Sequence, residues 1–293
     1  MAQLSRWKED DQLGNMNYVT AEKVQSSVSI PRKGKVYSLS QVLDENMPLN
    51  QFHGPFFYQT FRRLEDGIRY WKANFSAINV RLEMTDQHGT HIDSLNHVSL
   101  GYRLYNTPDG REITGEKGTT KLGIETMPPL VTRGIMIDVA RHAGVSILRE
   151  DYEIGMTEVS RILEQERLQG PGKGDAVLFR TGYANLWGKE NKKSIGPPLP
   201  GINVEVADWL IENGISVAGS DTQSLEYIAA VDPPSGHVEP VHQKLIVLNG
   251  IHIIENLMLE ELSRDVVNEF LFVCLPLKIK GATGSPINPI AIA

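Results

Sequence analysis

The chain has 293 residues, 41% of them hydrophobic and 22% charged, an ordinary globular composition that is long enough to bury a sizeable core. A net charge of −7 and the lack of any Lys/Arg cluster argue against nucleic acid as a partner, because phosphate binding needs a basic patch. Residues 1–10 lack the apolar centre of a secretion signal, no apolar run approaches the length of a bilayer, and the one cysteine forms no internal disulfide, so a cytoplasmic protein without a membrane partner is expected.

The first half carries weaker periodicity and more loops. Phe56, Phe57, Tyr58 and Phe61 either cap a pocket or simply pack, and His53, before Gly54-Pro55, is a weak candidate for lining that pocket. The densest chemistry lies in the run from Gln87 to His97, which contains His88, His91, Asp93 and His97. In a strand, alternate side chains share a face, so His91 and Asp93 point the same way. A neutral imidazole beside a carboxylate is a ready ligand pair for a divalent metal. Gly89 frees the backbone to turn just before them, and His97 follows Asp93 closely enough to fold back over the same place. The alternative is a set of satisfied core histidines.

The second half alternates helix and strand signals. Thr157 is a candidate N-cap, followed by Val159, Ile162, Leu163 and Leu168 at helical spacing and stopped by Gly170-Pro171-Gly172. Residues 175–181 form a buried apolar strand. A helix fits 204–212, closed by Gly214, before a strand over 215–221. Residues 242–248 look helical, Gly250 stops them, and 251–255 is a strand. A helix over 259–270 then runs into a last strand ending near 279. Cys274, in an apolar run, is a buried small hydrophobe. Residues 187–193 read as an exposed charged loop. Strands alternating with helices indicate an α/β fold, a mixed β-sheet core flanked by helices, over residues 1–293 as one domain.

Two further groups are candidates on their own residues. Glu255, at a strand end, either caps the next helix or joins a site. Asp221 either orients a ligand histidine or caps a turn. His252, inside a strand, packs or hydrogen-bonds. There is no Gly-x-Ser-x-Gly nucleophile elbow, and the stretch Gly281-Ala282-Thr283-Gly284-Ser285 lacks the lysine of a phosphate loop, so it reads as a tight turn or an oligomer contact.

The run Gly89-Thr90-His91-Ile92-Asp93 with His97 resembles the His-x-Gly-Thr-His-x-Asp-x-Pro-x-His signature of the metal-dependent cyclase family, which includes kynurenine formamidases and isatin hydrolases. Residues 7–14 are similar to that family's opening segment. Val241-His242-Gln243, Gly250-Ile251 and Glu255-Asn256-Leu257 are similar to its second ligand-bearing segment, and residues 281–286 to its closing one. Two positions depart from the signature: Gln87 replaces the first ligand histidine, and Leu95 replaces the proline.

The resemblance implies a metal site built from Gln87, His91, Asp93, His242 and Glu255, with His88 as an alternative to Gln87 and with His97 as general acid or base. It implies metal-dependent hydrolysis of a small cyclic amide, lactone or N-formyl substrate by metal-activated water. The hard amide oxygen of Gln87 would favour Mn²⁺ over Zn²⁺. The alternatives are a cyclase, isomerase or dehydratase on the same site, or a binding protein that lost its chemistry with the first histidine. The resemblance also suggests a homodimer or homotetramer.

Overall fold

The structure is a computed structural model that describes residues 6–50, 53–188, 196–229 and 239–293. Its centre is a nine-stranded mixed sheet. Four neighbouring strands, Leu130–Asp138, Ala176–Arg180, Val217–Ser220 and His252–Glu255, run parallel. Helices occupy the crossovers, as parallel strands require. Antiparallel strands flank this centre. Glu269–Cys274, Ile290–Ile292 and Val36–Ser38 lie on one side, and His91–Asp93 and Gly284–Pro286 on the other.

The chain connectivity forces this sheet to curl. Gly284–Pro286 is the last strand on one side, and Ile290–Ile292 is the second from the opposite edge. Seven strand spacings would separate them by about 34 Å if the sheet were flat. The four residue-to-residue steps from Pro286 to Ile290 span at most about 14 Å, so the two sides must approach each other. Hydrogen bonds close the seam. The Gln41 amide donates to Thr90 Oγ1 (2.8 Å) and the Met258 amide to the Leu39 carbonyl (2.9 Å).

Strand alternation then divides the core in two. Met136, Leu178, Val217, Ile254 and Ile92 fill the inside of the curl with Phe270, Phe272 and Cys274. Ile135, Ile137, Val177, Phe179, Ala218 and Ile253 face outward. There they pack against Val159 and Ile162 of helix Met156–Gln165, Val206 and Leu210 of helix Val204–Glu212, and Leu245 and Ile246 of the segment after His242. Among the described residues no helix is long and apolar enough to cross a membrane.

Several sequence expectations shift in detail. Helix Met156–Gln165 begins one residue before Thr157, with Gly155 at the cap position. The helix expected over 259–270 covers only Glu260–Arg264, because Phe270 joins strand Glu269–Cys274 and is buried inside the curl. Two strands follow that one, and the turn expected at 281–285 runs into the first of them, Gly284–Pro286. Phe56 is buried against the ring of His88, whereas Phe57, Tyr58 and Phe61 stand exposed on a hairpin. Of the expected charged loop, residues 189–193 lie outside the described residues.

Candidate metal centre

Strand His91–Asp93 pairs antiparallel with His252–Glu255, and the register sets His91 directly opposite Glu255. This brings together residues 164 positions apart in sequence, since opposed side chains on one sheet face lie about 5 Å apart. Ile92 and Ile254 point into the curl, so alternation sends His91, Asp93 and Glu255 out of the other face, toward the helices. Gly89 makes the turn that leads in, with φ +67°. A Cβ there would meet Leu43 at 2.2 Å.

His242 reaches the same face from the short helix Pro240–His242, which continues as a π-helical turn over Gln243–Val247. Such turns recur at functional sites. Asp93, His242 and Glu255 bring one potential ligand atom each to within 4.8 Å of one another, and all three are buried. His242 Nε2 is 3.1 Å from Glu255 Oε1 and 3.8 Å from Asp93 Oδ2. His91 Nε2 is 3.4 Å from Glu255 Oε2 and 3.7 Å from Asp93 Oδ1.

The other ring nitrogen of each histidine is already committed. His91 Nδ1 donates to the Gly89 carbonyl (2.9 Å) and His242 Nδ1 to Glu226 Oε1 (2.5 Å). Each ring therefore offers Nε2 toward the carboxylates, the tautomer a metal ligand needs. Glu226, buried, also accepts the backbone N–H groups of Val241 (3.0 Å) and His242 (2.9 Å). Sequence reasoning missed Glu226. Its only sequence signal is a lone carboxylate after Ser224-Leu225, with no spacing that ties it to His242.

The electrostatics call for a cation. Both oxygens of Asp93 are buried and accept no hydrogen bond, an arrangement that costs free energy unless something positive sits against them. Burial raises the Asp93 pKa and outweighs the opposing pull of His97 and its neighbours. Burial opposes charge on His91, yet the hydrogen bond and charge of Glu255 lift it to about 9. The same contest raises His242 well above the ordinary histidine value, through Glu226 and Glu255. Burial works against Glu255 too, but its contacts with His242 and His91 hold it at about 2. A divalent ion fits this donor set, taking the place of the protons that the imidazoles otherwise hold.

The remaining sequence candidates fall around this cluster. His97 is partly exposed, with Nε2 3.8 Å from Asp93 Oδ1. Its Nδ1 faces the Gln87 amide nitrogen at 3.1 Å. That nitrogen also donates to Thr283 Oγ1 (3.3 Å), while the Gln87 amide oxygen is buried without a hydrogen-bond partner. Asp86 holds the closing segment in place by accepting from the Thr283 and Gly284 amides (2.7 and 3.1 Å). His88 does not stand in for Gln87, because its Nδ1 accepts from the Thr85 amide (2.9 Å) and its Nε2 donates to the Gly54 carbonyl (3.3 Å). The His53 ring lies 6.3 Å from that of His91, and burial drops its pKa to about 4. His252 donates from Nδ1 to the Asp93 carbonyl (2.8 Å), fixing the backbone beneath the site.

Asp221 does not orient a histidine. It accepts from the Thr181 amide and hydroxyl (2.8 and 2.7 Å) and the Gly182 amide (2.7 Å), capping the turn after the neighbouring strand. Burial lifts its pKa to about 6 against those hydrogen bonds.

The Cyclase family model matches residues 37–227. The kynurenine formamidase of Bacillus mycoides (strain KBAB4) is 28% identical over 258 residues, covering 86% of this chain and 97% of that protein. That of Geobacillus thermodenitrificans is 28% identical over 251 residues, covering 85% and 93%. Among solved structures, a crystal structure described as a novel cyclase superposes with a TM-score of 0.87 at 29% identity, over 99% of both chains. Isatin hydrolase A from Ralstonia solanacearum shares the fold, with a TM-score of 0.66 at 21% identity over 88% of this chain and 92% of its own. Strand 91–93 and Glu226 lie inside the stretch the family model matches, and the novel cyclase superposes over the segment bearing His242 and Glu255 as well: this chain belongs to the cyclase family.

Proposed function

We propose that the protein is a metal-dependent hydrolase that opens or cleaves a small cyclic amide, lactone or N-formyl substrate. The observation that carries this reading is Asp93, with two buried, unpartnered carboxylate oxygens facing two imidazoles and a second carboxylate. The kynurenine formamidases and isatin hydrolase A among the relatives are hydrolases, which supports the same class.

Asp93, His242 and Glu255 would hold the ion, with His91 beside them. Gln87 offers its unpartnered amide oxygen as a further donor. Two carboxylates and an amide make the set rich in hard oxygen, which favours Mn²⁺ over Zn²⁺. A divalent ion held there would supply Lewis acidity and lower the pKa of a water toward about 7. Glu226 fixes the His242 ring through Nδ1, and the Gly89 carbonyl does the same for His91. His97 is the histidine of the cluster open to solvent. The Gln87 amide nitrogen donates to its Nδ1, so neutral His97 carries its proton on Nε2 and would serve there as a hydrogen-bond donor to the substrate or its leaving group.

The test is metal analysis of the purified protein beside Asp93→Ala, with hydrolysis assays on a panel of formamides, cyclic imides and lactones. The proposal expects near-stoichiometric manganese or zinc, lost in the variant, and turnover of at least one panel member. Failure of the metal-loaded protein on every member, with metal content unchanged in Asp93→Ala, would sink it.

A further inference from the structure

Beside the ligand cluster runs a short chain of hydrogen bonds, from Asp86 through Thr283 and Gln87 to His97. Strand pairing fixes its middle. Gly284 lies opposite Asp93 in the ladder, and the Thr283 carbonyl accepts from the Ser94 amide (2.8 Å), so the Thr283 hydroxyl is held on a rigid frame. Space for the Gln87 amide is held open as well. A Cβ at Gly284 would stand 2.6 Å from Gln87 Nε2 and 2.8 Å from the Ile92 carbonyl oxygen. The backbone there is ordinary strand rather than left-handed, so room, not conformation, is what asks for glycine.

The direction of every bond in this chain is set from its far end. An amide group is nearly symmetric in shape, so its partners decide which end faces which neighbour. Two arrangements are open to Gln87. In one, Nε2 donates to both Thr283 and His97. In the other, Oε1 accepts from both, and His97 must carry its proton on Nδ1.

Asp86 breaks the tie. A carboxylate only accepts, and a charge-assisted hydrogen bond is roughly twice as strong as a neutral one. The Thr283 hydroxyl therefore gives its hydrogen to Asp86 Oδ2 (3.0 Å). Its oxygen is left to accept, and it takes a hydrogen from Gln87 Nε2 (3.3 Å). The other hydrogen of that amide goes to His97 Nδ1 (3.1 Å). Gln87 Oε1, which would do the accepting in the opposite arrangement, is buried without a hydrogen-bond partner.

We propose that Asp86 and Thr283 are positioning residues that act through the Gln87 amide to hold His97 in its Nε2–H tautomer, so that His97 meets the substrate as a hydrogen-bond donor. What His97 donates to rests on the hydrolase reading above; which nitrogen carries the proton does not.

The experiment is long-range ¹H–¹⁵N correlation NMR on the full chain labelled at histidine, metal-free and after addition of Zn²⁺. It is run at about pH 9, above the ordinary range of a histidine. His97 is one of eight histidines, and a His97→Asn spectrum assigns its signals. Thr283→Val keeps the shape of the side chain. It also leaves Asp86 its bonds from the Thr283 and Gly284 amides (2.7 and 3.1 Å), so the closing segment stays in place while the Gln87 amide is freed to turn over. Thr283→Ser restores the hydroxyl. Gln87→Glu replaces the donor with an acceptor and gives a second handle if Thr283→Val folds poorly.

The wild type and Thr283→Ser should show a bare Nδ1 and a protonated Nε2. Thr283→Val should show the two tautomers in roughly equal amounts, as two states of matched energy do, and Gln87→Glu should bring a proton to Nδ1. A wild type protonated on Nδ1 would overturn the proposal. So would a Thr283→Val protein that keeps the wild-type tautomer, a Thr283→Ser protein that loses it, or a Gln87→Glu protein whose Nδ1 stays bare. The ring is read whether or not any panel member turns over, so a failed hydrolysis assay and a failed tautomer assignment are separate results.

Discussion

At the scale of single residues, the site is defined by what surrounds Asp93. A buried carboxylate with two idle oxygens is tolerated when a cation compensates it, and the orientation of His242 decides how well that cation is held. Glu226 fixes that orientation. Glu226→Gln keeps the shape and removes the charge, and it should weaken metal affinity by about 10–100-fold; competition with a chromogenic chelator measures this. Unchanged affinity would show that Glu226 serves only the backbone amides of Val241 and His242.

The pH dependence follows from the same groups. In the metal-free protein His91 keeps its proton up to about 9 and His242 to well above the free histidine value. A metal must displace those protons, so binding releases them. Apparent affinity should rise from pH 6.5 to about 9 as His91 loses its proton. Calorimetry in buffers of different ionisation enthalpy reads the released protons directly, and an affinity that is flat across this range would contradict the assigned tautomers.

At the scale of elements, the period-2 alternation of the strands separates chemistry from packing. Ile92 lies between His91 and Asp93 and is fully buried inside the curl. Ile92→Ala should destabilise the fold by about 2–5 kcal/mol, as core truncations do, read as a lower denaturant midpoint. Cys274 ends strand Glu269–Cys274 on the inner side, where burial pushes its thiol up to about 12. The native protein at pH 8 should not react with a disulfide reagent, while the unfolded chain should react once per molecule.

Much of this layer was legible in the sequence. Helix 204–212 and the strands near 176–180, 217–220 and 252–255 follow from apolar runs bounded by turn residues. His91, Asp93, His97, His242 and Glu255 were named from local pattern and resemblance, and the structure gathers them on one sheet face. The misreadings have physical causes. Residues 259–270 carry both helical spacing and a strand-like aromatic end, and tertiary burial of Phe270 decided between them. Glu226 and the Asp221 cap depend on contacts across the fold that no local spacing records.

At the scale of the whole molecule, the sheet is joined across its seam by the three residues between Pro286 and Ile290. Strand Ile290–Ile292 lies between Val36–Ser38 and Glu269–Cys274, with Ala291 fully buried. Ala291→Asp would place an unpaired charge in the inner core and should cost several kcal/mol. Thermal unfolding should show it, and retention of the wild-type midpoint would mean that the seam contributes little to stability.

The same seam fixes the order in which the molecule is completed during synthesis. Val36 finds its partner only when Ile292 has left the ribosome, and strand His91–Asp93 waits for both His252–Glu255 and Gly284–Pro286. The nascent chain therefore carries unpaired strand edges for nearly the whole of translation, the circumstance in which chaperones matter most. Its ligand cluster assembles among the last events, so a ribosome-stalled fragment ending before residue 252 would hold His91 and Asp93 without the carboxylate that faces them.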